Sequence, residues 1–229
     1  MTESATGAAA EHAAASRPDV RERILQTASE LFCRRGVRAV GVDLVVEEAG
    51  VAKTSLYRHF RTKDELVAAF LAREDEDFWA TWDRVAQRQP GDAARELEAH
   101  LDWIGEHIGR PHYRGCPQLN VAAEFPDPDH PARKVAAAHK RELRRRLEGI
   151  AARLGVERPD ELAGQLSLLI NGAFVSSQVL SPGEATQLLR GSARALVATA
   201  GKPRGPMAKG RLGTSAQAKT EPLLTEGEN

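Results

Sequence analysis

Two cysteines in 229 residues, Cys33 and Cys116, are too few for a disulfide framework. That scarcity fits a reducing cytosol. No apolar run approaches the ~18 residues that a bilayer-spanning helix needs. The Ala-rich start has neither a basic opening nor a continuous apolar stretch, so it does not read as a signal peptide. A cytoplasmic protein without membrane contact is the expectation. Net charge is missing too, with 32 basic residues against 32 acidic ones, which argues against a protein that coats nucleic acid through bulk charge. There is no Ser-His-Asp elbow, no phosphate loop and no metal-hydrolase helix, and scattered histidines do not make a site. An enzyme is not expected, and neither a resident metal nor a cofactor is.

What is present is helical. The hydrophobic fraction is 41%, enough for a core. Residues 1–16 and 201–229 have few large apolar groups and read as solvated extensions. In between, "RPDVRERILQTASELFCRRG" carries Val20, Ile24, Ala28, Leu31 and Phe32 at three- and four-residue spacing, one apolar stripe on a helix. Pro18 suits its first turn and Gly36 its end. Cys33 inside that pattern reads as a small buried apolar residue. "DLVVEEAG" and "TSLYRHF" make two short helices, and a long one runs from about Lys63 to Arg88 until Pro90-Gly91. "DAARELEAHLDWIGEHIG" places Leu97, Leu101, Ile104 and Ile108 on one face. "CPQLNVAAEF", a basic helix over 131–154 and two apolar helices, from about Asp160 to Gln178 and Gly183 to Thr199, complete an all-α chain of about nine helices.

Charge is uneven along that chain. From Arg17 to Lys63, ten basic residues face six acidic ones, so this segment is +4 and the rest −4. Inside it, Ala49-Gly50-Val51 joins two short helices with the spacing of a helix-turn-helix. The small residue and the glycine, free to take a left-handed backbone, make the corner. Leu56 and Phe60, four apart, face inward. Lys53, Thr54, Ser55, Tyr57, Arg58 and His59 are left on or near the outer side, where hydroxyls and cations can hold phosphates and read base edges in a major groove.

The stretch "ILQTASELFCRRGVRAVGVDLVVEEAGVAKTSLYRHFRTKDELVAAFL", about 48 residues, resembles the DNA-binding region of the TetR family of bacterial repressors. The resemblance implies a homodimer. Its N-terminal helix-turn-helix heads (17–62) would bind a palindromic operator in double-stranded DNA, and its C-terminal region (63–200) would hold a small-molecule effector and the dimer interface. It implies that Tyr57 and Lys63 meet the DNA backbone and that Lys53, Thr54, Ser55, Arg58 and His59 touch bases or phosphates. This chain departs from the pattern at Gly41 and Asp43, where a hydroxyl and a polar or basic residue are common, and at Ala52, where a serine cap is common. Asp43 would either repel phosphate, accept from a cytosine amino group, or simply favour a helix N-terminus.

The second half carries less specific signals. Trp79, Trp82 and Trp103 lie on helices that would flank a pocket, as core or as ligand walls. Asn171 in the apolar "LSLLINGAF" needs a partner. The expected chamber residues are Trp82, Trp103, His107, Cys116, Asn120, Asn171 and Phe174. An alternative is a metal- or thiol-responsive regulator using Cys116 with His107, His112, His130 and His139 nearby. Leu166, Leu169, Ile170, Phe174 and Val175, with Leu188, Leu189, Leu196 and Val197, are expected in a four-helix dimer interface or in the monomer core.

Overall fold

The computed structural model describes residues 19–111 and 113–201. The extensions expected at 1–16 and beyond Gly201, and the role expected of Pro18, lie outside them. Nine α-helices and no strand occur among the described residues. In order they are α1 (Val20–Arg35), α2 (Val42–Ala49), α3 (Lys53–His59), α4 (Lys63–Gln87), α5 (Ala93–Ile108), α6 (Pro117–Glu124), α7 (Pro131–Arg153), α8 (Pro159–Ser176) and α9 (Pro182–Ala200).

Local chemistry sets the ends. Gly36 terminates α1 at φ 81°, a backbone that a β-carbon disfavours. At the head of α4, Thr62 Oγ1 accepts from the Glu65 amide while the Glu65 carboxylate accepts from the Arg61 amide, so two free donors are satisfied reciprocally. Asp92 and Ser181 cap α5 and α9 with a single bond each, accepting from the Arg95 and Glu184 amides.

Two apolar clusters organise the packing. The first gathers Ile24, Leu31 and Phe32 of α1, Leu56 and Phe60 around α3, and Leu66, Val67, Phe70 and Leu71 of α4. It also takes in Val121 of α6 with Ala132 and Ala136 of α7. The second is built by Leu97, Leu101 and Ile104 of α5, Leu143, Leu147 and Ile150 of α7, and Leu166, Ile170 and Phe174 of α8. Burying each such side chain is worth roughly 1.5–3 kcal/mol. Helix α4 contributes its first half to one cluster and its second half, through Trp82, to the other. Head and body therefore share a rigid rod, and the expected boundary near residue 62 falls at its start.

The last two helices correct part of the sequence reading. Leu166, Ile170, Phe174 and Leu189 are buried inside the chain itself. The large apolar groups left in water are Leu168, Val175, Val179 and Leu188, with Leu168 75% and Leu188 54% exposed. Helix α8 is apolar on both faces, and counting its leucines cannot tell which face turns outward.

Candidate DNA interface and interior cavity

Helices α2 and α3 form the corner that the sequence implied. Gly50 ends α2 with φ 60° and ψ 43°, the left-handed conformation, and its N–H donates to Glu47 O and Val46 O. Arg23 of α1, which sequence reasoning did not single out, locks this corner by donating to Ala49 O at 2.9 Å and Gly50 O at 3.1 Å. Helix α3 has no side-chain cap at Ala52 and starts on backbone bonds alone, Ser55 N–H to Ala52 O at 2.9 Å.

Leu56 and Phe60 are buried, and this fixes the rotation of α3. Lys53, Thr54, Tyr57 and Arg58 are exposed, while Ser55 and His59 are half-buried. Two cations in this region are already engaged. Lys53 pairs with Asp43 across the corner at 2.6 Å, and this hydrogen bond raises the lysine's pKa. Lys63 turns inward instead: its ammonium donates to Val37 O at 2.7 Å, and burial lowers its pKa. A carbonyl thus holds the group that the family pattern assigns to a phosphate.

The loop after α1 is tied to the body. The Glu124 carboxylate, at the end of α6, accepts from the Val37 amide at 3.1 Å and the Arg38 amide at 2.7 Å. Charge-assisted bonds of this kind are about twice as strong as neutral ones. Residues 87 and 86 positions apart are joined, so no local pattern could reveal the tie.

A cavity of about 660 Å³ lies between α4, α5 and α7, its walls completed by Tyr113, residues 116–118 and Phe174 of α8. Its walls include Trp103, His107, Cys116 and Phe174 of the expected set. The other three sit elsewhere. Trp82 is buried and stacks on His100 with ring centroids 3.7 Å apart, so it belongs to the core. Asn171 accepts from Lys140 Nζ at 2.9 Å, which supplies the partner its amide needed. Asn120 donates to Arg114 O at 2.8 Å and lines an adjoining cavity of about 430 Å³ that reaches Gly36, Val37 and Glu124 at the head. The two cavities share Glu74, His107, Tyr113 and Pro117 as walls.

Burial shifts the interior groups here towards their neutral forms. Burial lowers His107 from 6.5 to about 4, with Arg110 adding to the effect. Burial also raises Tyr113 above its ordinary value, and the nearby Cys116 reinforces this. His139 is lowered by burial and by Lys140, against the opposing pull of Asp75, whose Oδ1 lies 2.5 Å from its Nδ1. Glu74 is raised by burial and by Asp77. Cys33 is half-buried, and burial beside Glu74 lifts its thiol to about 12.

The metal- or thiol-responsive alternative gains no support. Among the described residues no three His, Cys, Asp or Glu side chains come together in a group that could hold a metal. Cys116 is buried, and His112 lies outside the described residues.

Comparison with known proteins agrees with this geometry. Residues 24–70 match the family model described as bacterial regulatory proteins, tetR family. The activator FasR of Mycolicibacterium smegmatis is 37% identical over 92 residues, 40% of this chain and 42% of that protein. The repressor Rv3405c of Mycobacterium tuberculosis is 30% identical over 112 residues, 48% of this chain and 56% of that protein. The matches to these curated relatives therefore span about two fifths to just over half of their lengths. Among solved structures, the TetR-family regulator SCO4454 of Streptomyces coelicolor superimposes with a TM-score of 0.77 at 28% identity, over 80% of this chain and 96% of that one. A TetR-type regulator from Streptomyces avermitilis, sav143, gives 0.68 at 32% identity, over 79% and 97%. All-helical architecture with a helix-turn-helix head and a helical body over a cavity is the architecture of a DNA-binding transcription regulator. This chain belongs to the TetR family.

Proposed function

We propose that the protein is a homodimeric repressor of the cytoplasm whose operator affinity is set by a small molecule in the larger cavity. In this reading residues 17–62 are the DNA-binding unit and 63–200 the effector-binding and dimerisation unit. Tyr57, Arg58 and Thr54 meet the DNA directly. Lys53, Ser55, His59 and Lys63 join them only after leaving the contacts or the partial burial described above. The dimer holds two α3 helices about one DNA turn apart, ~34–36 Å. Effector and operator favour different spacings, so binding of one lowers affinity for the other.

The observation that carries this reading is the continuity between cavity and head. Residues 116–118 wall the larger cavity and lead into α6, and Glu124 at the far end of α6 grips Val37 and Arg38 beside Lys63. A ligand that shifts α6 acts on the head through that carboxylate. The exposed Leu168 and Leu188, which line one apolar groove between α8 and α9, support dimerisation, because groups of that size are costly to leave in water as a contiguous patch.

Leu168→Glu tests the proposal. It introduces a charge on a residue that supports no internal packing, so helicity and melting temperature are expected to hold. Sedimentation should shift from dimer to monomer, and affinity for a palindromic operator should fall at least tenfold. A variant that stays dimeric and binds as before would refute the assigned interface.

A further inference from the structure

The walls of the larger cavity sort by depth. Arg84, Arg88 and Arg110, with Asp77 and Glu106, are exposed and surround its mouth. The less exposed part of the lining is different: Phe78, Trp103 and Phe174 give it aromatic walls, and the three arginines of the lining all belong to the exposed part. Phe78 and Trp103 lie with centroids 4.9 Å apart, in contact with each other, so together they form one aromatic wall against which a flat ring can pack. The ammonium behind the wall, Lys140, is occupied by Asn171 Oδ1 and by Cys116 Sγ at 3.4 Å.

The polar groups of the interior are short of donors. His139 is 2% exposed; its Nδ1 is held by Asp75, and its Nε2 has no partner. With the proton of the neutral ring on Nδ1, facing a carboxylate, Nε2 presents a bare lone pair. Gln118 is also 2% exposed; its amide nitrogen donates to Leu71 O, and its Oε1 has no partner. The Tyr113 hydroxyl is unpartnered as well and can accept or donate. Glu74 adds a half-buried carboxylate to the same lining. Leaving a buried polar group unmatched is costly, so these atoms ask for a ligand that supplies hydrogens.

We infer that the cavity takes a flat aromatic molecule bearing N–H or O–H donors, which donate to His139 Nε2, Gln118 Oε1, the Tyr113 hydroxyl and Glu74, and that it rejects aromatic carboxylates. The inference rests on the proposed role of this cavity as the effector chamber and names the chemistry of that effector. Hydroxyl and amino donors share this chemistry, and a ligand series separates them from shape alone.

The test is calorimetric titration of the full chain with four naphthalenes of one substitution pattern: 2,7-dihydroxynaphthalene, 2,7-diaminonaphthalene, 2,7-dimethoxynaphthalene and naphthalene-2,7-dicarboxylate. The dihydroxy or the diamino compound should bind at least tenfold tighter than the diether, and the dicarboxylate weakest of all. Tyr113→Phe removes one oxygen and keeps the ring, and Gln118→Met keeps the side chain's bulk. Each should weaken the donor compounds several-fold and leave the diether unchanged. A diether that binds as well as the diol would overturn the donor chemistry while leaving the chamber in place, and so would a set in which nothing binds at millimolar concentration but an acceptor-only arene does. Failure of all four, with the chain folded, would overturn it outright. Donor preference without any change in operator affinity would sustain this inference and refute the regulatory reading instead.

Discussion

Asp43 is the residue whose replacement says most about how this head meets DNA. Its carboxylate holds Lys53 at 2.6 Å on the surface that carries Tyr57 and Arg58, and the two side chains are 80% and 53% exposed. So exposed a pair is screened by salt and contributes little to folding. Its effect on binding is larger, because a phosphate approaching Lys53 must displace a carboxylate that stays nearby. Asp43→Asn removes the charge and keeps the shape. Lys53 then counts as one more phosphate contact, and the slope of log K against log salt should steepen by about 0.9. If that contact adds nothing at 1 M salt, the variant should bind about 15-fold tighter at 50 mM and about 4-fold tighter at 200 mM. The thermal cost should be small, since Asp43 gives the N-terminus of α2 at most about 1 kcal/mol. Fluorescence anisotropy with a labelled operator duplex at five salt concentrations reads the slope. Parallel lines for the two proteins would refute the reasoning, and weaker operator binding by the variant would mean that Asp43 accepts from a base.

Two further outcomes concern the body. His100 and His107 are both lowered to about 4 by burial, below the unfolded value of 6.5, so the unfolded chain binds their protons first as pH falls. Stability from this source is complete above 6.5 and lost towards 4, at about 1.4 kcal/mol per pH unit for each histidine. Urea unfolding at pH 7 and pH 5 should show the loss, His107→Phe should remove its share, and a flat profile would contradict the buried neutral rings. Gly105 lets α5 approach α9 so closely that a β-carbon there would lie 2.5 Å from Thr186 Cγ2. Gly105→Ala should cost about 1–3 kcal/mol, with partial recovery in Gly105→Ala/Thr186→Ser, and a thermal melt checks both.

The sequence was most readable where structure is local. The three- and four-residue spacing of Ile24, Ala28, Leu31 and Phe32 and the stop at Gly36 mark α1, and Gly50 marks the corner, because each depends only on neighbours in the chain. The exposed face of α3 followed from Leu56 and Phe60 for the same reason. Contacts made across the fold were not readable. Lys63 meets Val37 O, Arg23 seals the α2–α3 corner, and Glu124 bridges to the loop after α1. These pairings depend on packing angles that no spacing encodes. The cavity illustrates the limit. Trp82 and Trp103 both lie on helices that bound it, yet the rotation of α4 sends Trp82 into the core against His100, while Trp103 keeps one face on the cavity.

The central claim is that this chain reads a specific DNA sequence as a two-fold dimer. Selection from a random-sequence duplex pool by the purified full-length protein, with sequencing of the retained DNA, tests it most directly. Enrichment of a pseudo-palindrome whose half-site centres are spaced by whole DNA turns is expected. Retained DNA with no shared sequence, from protein that is folded and dimeric, would contradict it.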